Sequence, residues 1–189
     1  MVCRPARGGL TAVRIGSLSH YYCLLRGLVL PGYLRVGRKA QIKQGASIDA
    51  YRGSVVIGDR FKIHRGGFID AQKGTIEIGS NVSINPYSIL YGLGGIRIGN
   101  DVRIAAHVVV VSFDHRYDEV SKAITMQGVV AKPIVIEDDV WIGAGAKILG
   151  GSHIAKGCVI GANAVVKGRT EPYGIYVGSP ARLLKYRGQ

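Results

Sequence analysis

The sequence predicts an all-β solenoid of about six three-sided coils, and three observations carry that prediction. Ile136, Ile142, Ile148, Ile154, Ile160 and Val166 recur every six residues without a slip. A helix would place apolar residues at i, i+3, i+4 and i+7, and a half-buried strand at every second position, so this period fits neither. It fits stacked short strands, each giving one aliphatic residue to a central column before a corner of small residues. The second observation is composition. Glycine supplies 28 of 189 residues, against a usual share of about 7 %, and no Gly-X-Y period points to collagen. The third is that residues 133–167 hold no helix-length segment, which excludes a Gly/Val-rich sheet with helices between its strands.

Residues 1–35 precede the repeat as a basic segment and cap. Residues 1–15 are Gly-rich and show no clear period. Ser17 to Leu30 (SLSHYYCLLRGLVL) predicts a short amphipathic helix, capped by Ser17 and ended near Pro31-Gly32. Its apolar face is suited to plug the first coil, whose core would otherwise meet water. A second reading of residues 17–30 is a helix in peripheral contact with a membrane, because Tyr21, Tyr22 and Arg26 sit among leucines.

The repeat occupies residues 36–168 in triplets: Val36, Ile42, Ile48; Ile57, Ile63, Ile69; Ile78, Ile84, Leu90; Ile98, Ile104, Val110; Ile136, Ile142, Ile148; and Ile154, Ile160, Val166. Three steps per set give a triangular cross-section. Three extra residues follow each of the first two sets, near Tyr51-Arg52-Gly53 and Gln72-Lys73-Gly74, and two follow the third, near Gly94-Gly95. Insertions in repeat proteins gather on one face, so these read as bulges at one recurring corner. Twenty extra residues separate Val110 from Ile136, giving an inserted loop over residues 112–132. A structureless loop of that length inside a compact domain is usually functional. Residues 169–189, with Pro172, Pro180 and RLLKYR, read as an extended tail with one helical turn, folded over the last coil.

A net charge of +13, from 25 basic and 12 acidic residues, favours anionic partners such as phosphate, acidic glycan or a membrane surface. No run of five Lys/Arg and no nucleic-acid motif occurs, so nucleic acid is not expected as a partner. Cys3, Cys23 and Cys158 form no C-x-x-C pair and suit the reduced thiols of a cytoplasmic protein. No apolar stretch nears 18 residues and no signal peptide is visible. A cytoplasmic location follows as the expectation, at the inner face of the membrane if residues 17–30 make contact.

These repeats, the loop segment SFDHRYD, and then IEDDVWIGAGAKIL, VIGANAVV and VGSPARLLK together resemble the hexapeptide-repeat acetyltransferases. The similarity spans roughly residues 36–185 and is nearest the maltose, galactoside and xenobiotic acetyltransferase group and its polysaccharide-biosynthesis relatives. It implies a left-handed parallel β-helix, acetyl-CoA as co-substrate, and a homotrimer with active sites between subunits.

His115 occupies the place of the family's catalytic histidine, eighteen positions into the motif that begins at Ile98-Gly99. A neutral imidazole there can take the proton of an acceptor hydroxyl as its oxygen attacks a thioester, then return it to the departing thiolate. Asp114, Asp118, Glu119 or a backbone carbonyl could fix its tautomer. Trp141 stands at the place beside the acyl-donor cleft, with ordinary core as the competing reading. The resemblance places cofactor contacts at Ala144 and Ala162, small enough to leave a groove for the pantetheine arm. Lys167, Arg182 and Lys185 sit near the family's phosphate-pairing positions. The lysine is shifted by one, since Lys167-Gly168 stands where the family carries Thr-Lys. Asn85 matches the asparagine that binds a sugar hydroxyl in the sugar acetyltransferases. Their acidic partner is replaced here by Gly92 and Leu93, with Tyr91 as a substitute contact.

No metal is expected. The closely spaced histidine pair of the related zinc-binding branch is missing, because His107 and His115 are eight residues apart. His64, His107, His153 and His20 read as structural or surface residues, the first two on coil faces. The expected activity is an acetyl-CoA-dependent O-acetyltransferase acting on a sugar, nucleotide-sugar or glycan acceptor in surface-polysaccharide or lipopolysaccharide biosynthesis. The alternatives are a non-catalytic solenoid that binds anionic glycans or membranes, and an antibiotic or amine N-acetyltransferase.

Overall fold

A computed structural model describes residues 33–189; the helical cap and membrane-contact readings of residues 17–30 lie outside them. Three sheets stack the coils in sequence order. The first is Tyr33–Val36, Ser54–Ile57, Thr75–Ile78, Ile96–Ile98, Ile134–Ile136 and His153–Ile154. The second is Gln41–Ile42, Lys62–Ile63, Ser83–Ile84, Arg103–Ile104, Trp141–Ile142 and Val159–Ile160, continued by Gly174–Val177 and Arg182–Tyr186. The third is Ser47–Asp49, Phe68–Asp70, Ile89–Tyr91, Val109–Val111, Lys147–Leu149 and Val165–Val166. Pairing between coils is parallel throughout, as in a three-sided parallel β-helix, and is consistent with the left-handed class implied by the resemblance.

The period of six places like residues in register. Val36 pairs with Ile57, Ile57 with Ile78, and Ile98 with both Ile78 and Ile136. Ile84, Ile104, Ile142 and Ile160 align in the second sheet, and Ile69, Leu90, Val110 and Ile148 in the third. These side chains are buried, except that Val36 and Ile42 in the first coil are partly exposed. A second inward column lies two residues earlier on each face, including Phe61, Val82, Val102 and Val140. Each fully buried aliphatic side chain contributes about 1.5–3 kcal/mol, so the core is a sum of similar layers.

Corners are closed by side chains of the next coil. Asp59 accepts the Arg38 N–H at 2.7 Å, Ser80 Oγ that of Asp59 at 3.1 Å, and Asn100 Oδ1 that of Ser80 at 2.9 Å. Asp138 then accepts the Asn100 N–H at 2.6 Å. Short bulges after the third-sheet strands fall at one corner, where Asp49 and Asp70 each accept a backbone N–H two residues on, at 2.8 Å.

Two segments carry more structure than the sequence predicts. The inserted loop is a β-hairpin arm: Phe113–His115 pairs antiparallel with Val129–Ala131, and a 3-10 turn spans Ile124–Met126. In the tail, Gly174–Val177 extends the second sheet and Arg182–Tyr186 folds back antiparallel on it. RLLKY is therefore a strand, and the helical turn expected there is absent. Its alternation of long side chains with an available sheet edge outweighs its helix propensity. Arg187 ties this strand to the body through Asp139 at 2.9 Å and the Gly157 carbonyl at 2.8 Å.

Candidate active site

The arm leaves the solenoid from the corner after the third sheet, and its base is fixed by several bonds. Buried Ser112 donates through Oγ to the Tyr91 carbonyl at 2.9 Å and accepts the Gly94 N–H at 2.9 Å. Lys132 N–H returns to the Ser112 carbonyl at 2.8 Å. Gly94 leaves no room for a side chain, since a Cβ there would lie 2.6 Å from the Lys132 nitrogen. Lys132 also pairs with Asp114 at 3.2 Å. At the tip, Gln127 accepts the Glu119 N–H at 3.1 Å and donates to the carbonyls of Glu119 and Lys122, both at 2.9 Å.

His115 ends the first strand of this arm with its side chain exposed. An edge-to-face series of rings runs up to it: Phe68 to Tyr91 at 5.9 Å, Tyr91 to Phe113 at 6.4 Å, and Phe113 to His115 at 6.4 Å. Tyr91 thus supports the arm as well as facing outward. Of the acids considered as orienting groups, Asp114 is paired with Lys132 and Glu119 with Lys122 at 2.8 Å.

Asn85, Ala144 and Ala162 lie at the opposite edge of the third sheet, at the corner that precedes it. Asn85 donates through Nδ2 and its own N–H to the Ile104 carbonyl, at 2.8 and 2.9 Å, and is half-buried. Ala144 and Ala162 are exposed on successive coils, linked by the Asn163 N–H donating to the Ala144 carbonyl at 2.9 Å. Gly143 and Gly161 precede them, and a Cβ on Gly143 would sit 2.7 Å from the Ala162 nitrogen. This stretch of corner is accordingly bare backbone and methyl groups. Trp141 lies just before it on the outer face of the second sheet, between Arg103 and Val159, and is 56 % exposed. It is a surface aromatic and takes no part in the core.

Lys167, Arg182 and Lys185 are exposed on the last coil and the final strand. The Ala181 N–H donates to the Val165 carbonyl at 2.8 Å, which holds the start of that strand beside the coil carrying Lys167. The structure therefore groups Asn85, Ala144 and Ala162 along one edge of the third sheet. It groups Tyr91 and His115 along the other, so a single chain does not bring the two sets together.

The remaining histidines differ in detail from the sequence expectation. His64 and His107 stand at corners and not on faces; His107, with φ of 60°, stacks on Tyr87 at 5.4 Å. Burial, followed by the charges of Lys62 and Lys43, lowers the pKa of His64. His153 lies between Glu137 Oε1 at 2.6 Å and Arg169 at 2.9 Å, so both ring nitrogens are engaged. That hydrogen bond, followed by the Lys156 N–H, lowers the pKa of Glu137. Among the described residues, no group of three His, Cys, Asp or Glu could hold a metal ion, and no helix is long and apolar enough to cross a membrane.

The chain is similar to several known proteins. Residues 133–168 match the family of bacterial transferase hexapeptide (six repeats). A Mycobacterium tuberculosis protein named as an acetyltransferase is 41% identical over 92 residues, 49% of this chain and 31% of its own length. WbbJ of Escherichia coli, named as a lipopolysaccharide biosynthesis O-acetyl transferase, is 30% identical over 112 residues, 56% of this chain and 57% of its own. The chain thus spans between 31% and 57% of the length of these curated relatives. AntD, an N-acyltransferase from Bacillus cereus solved with dTDP-4-amino-4,6-dideoxyglucose and coenzyme A, superposes with a TM-score of 0.73 at 26% identity, covering 87% of this chain and 89% of that one. A hexapeptide-repeat acetyltransferase of Vibrio cholerae complexed with acetyl coenzyme A gives a TM-score of 0.60 at 26% identity, covering 92% and 80%. Residues 133–168 thus carry a transferase hexapeptide repeat, and the solenoid around them is similar to that of these acyltransferases.

Proposed function

We propose that the protein transfers an acetyl group from acetyl-CoA to a hydroxyl of a sugar, nucleotide-sugar or glycan in surface-polysaccharide or lipopolysaccharide biosynthesis. The observation that carries this reading is the anchored arm, which presents exposed His115 from a corner whose partner edge is a bare small-residue groove. The groove of Gly143, Ala144, Gly161 and Ala162 suits a narrow pantetheine chain, and Lys167, Arg182 and Lys185 suit the phosphates of coenzyme A. Bound acetyl-CoA supplies the thioester. His115 takes the acceptor proton as the new C–O bond forms, and the proton passes to the thiolate as the C–S bond breaks. Trp141 flanks the donor groove, and Asn85 and Tyr91 contact the acceptor.

The two halves meet between subunits. In a C3 homotrimer, one chain supplies His115 and its neighbour the groove, and the arm spans the gap and walls it from water. Apolar residues exposed near the arm tip, such as Val120 and Met126, suit such burial.

The test is release of free coenzyme A from acetyl-CoA with a broad set of sugar acceptors; no acceptor-dependent release with any of them would contradict the reading. The likeness to AntD over almost the whole chain favours a second reading, N-acylation of an amino sugar. Matched hydroxy- and amino-sugar nucleotides in the same assay separate the two. For the donor side, replacing Arg182 and Lys185 together by alanine is expected to raise the KM for acetyl-CoA about three- to tenfold and to flatten its salt dependence. A rise confined to the acceptor KM would reassign both residues.

A further inference from the structure

The corner that carries Asn85 continues downward into the first two coils, and its character changes there. Successive coils place Lys43, His64 and Asn85 one above another, joined by Lys43 N–H to the Ile63 carbonyl at 3.0 Å and His64 N–H to the Ile84 carbonyl at 2.9 Å. Lys62 projects half-buried from the outer face of the second sheet beside this column, and Arg65 follows His64 with its side chain packed over Gly45. Among the described residues no acid answers these charges. The first acidic residue of the whole chain is Asp49, so the segment before the solenoid supplies none. Asp49 and Asp70 are turned to backbone N–H groups at the far edge of the third sheet, and Asp59 is paired with Arg38 at 3.0 Å. Lys43, Lys62 and Arg65 make no ion pair with any described residue. Burial, followed by the charges of Lys62 and Lys43, lowers the pKa of His64, and a neutral imidazole there remains available as a hydrogen-bond donor.

We infer that Lys43, Lys62 and Arg65, with His64 between them, form the site for a phosphate or diphosphate carried by the acceptor, whose sugar then lies along the corner at Asn85. This rests on the acyl-transfer reading above and specifies its acceptor as a phosphorylated sugar. Coils are stacked about 4.8 Å apart, so Lys43 to Asn85 spans roughly 10 Å, the scale of one sugar and its phosphate. Three uncompensated cations at one corner attract a dianion more strongly than the same charges in pairs, because no internal partner must be displaced. The same chemistry fits a nucleoside diphosphate and a lipid-linked diphosphate.

The experiment uses the full chain and a Lys43→Ala/Lys62→Ala/Arg65→Ala variant. Binding is measured for dTDP, for inorganic pyrophosphate, for phosphatidylcholine vesicles doped with a polyprenyl diphosphate, and separately for coenzyme A. The expected result is binding of at least one diphosphate probe, weakened at least about tenfold in the variant, with coenzyme A binding unchanged. Binding of dTDP identifies a free nucleotide-linked acceptor, and binding of doped vesicles without dTDP identifies a lipid-linked one. Equal binding by both proteins would overturn the proposal, as would wild-type protein that takes coenzyme A but no diphosphate. Loss of coenzyme A binding in the variant would also overturn it, by assigning the cluster to the donor. Wild-type protein that fails to bind coenzyme A would instead remove the acyl-transfer reading, and the acceptor role with it.

Discussion

The His115→Ala protein is expected to turn over about 10²–10⁴-fold more slowly than the parent while binding acetyl-CoA with unchanged affinity. In the proposed mechanism the imidazole acts only where the acceptor proton is moving, so its loss falls on kcat. Its side chain is exposed at the end of an arm strand, and the strand's pairing with Val129–Ala131 is made by backbone groups. Removing the ring therefore leaves the arm in place. Steady-state rates with the best acceptor, together with calorimetric binding of acetyl-CoA, check both halves of the expectation. Near-normal turnover would transfer the proton chemistry to another group, whereas lost donor binding would make His115 a cleft residue.

Ile104→Ala is expected to cost about 2–5 kcal/mol of stability, the range for a buried isoleucine whose cavity cannot collapse. Ile104 is fully buried and stacked between Ile84 and Ile142 in the middle of the second sheet. Its neighbours are held by parallel backbone bonds above and below, so they cannot close on the missing methyls. Val36→Ala is the control, since Val36 lies in the first coil and is only partly buried. Urea unfolding should show a large loss for Ile104 and a smaller one for Val36. Equal losses would mean that the core is not a set of stacked layers with a weaker first coil.

Much of the architecture was legible because a solenoid repeats one local rule. Ile136, Ile142 and Ile148 report a three-step coil whatever surrounds them, and the registers of all three sheets follow from that spacing. Corners were less legible. Glycine marks left-handed positions such as Gly145, but Lys39, Arg60, Asn81, Tyr87 and His107 take the same conformation at equivalent places. There the backbone bonds of neighbouring coils outweigh a modest local cost. The arm hid its strands because Phe113–His115 and Val129–Ala131 are short, and their partnership depends on a base fixed by Ser112 and Gly94. The resemblance names candidate site residues one by one, but it does not give their division between two edges of the third sheet. That division depends on which way each coil turns, and side-chain chemistry does not encode it. The acid-free cluster at Lys43, Lys62 and Arg65 had a visible signal in the absence of any acid before Asp49.

The proposed sharing of the site between chains is tested most directly by mixing two inactive proteins. One carries His115→Ala and keeps its groove; the other carries Ala162→Trp, which fills the groove and keeps the histidine. Each alone is expected to lack acceptor-dependent coenzyme A release. After verified subunit exchange, mixed trimers should recover part of the parental rate, because some interfaces then pair an intact His115 with an intact groove. A monomer by light scattering, or no recovery after exchange, would contradict a site shared between subunits.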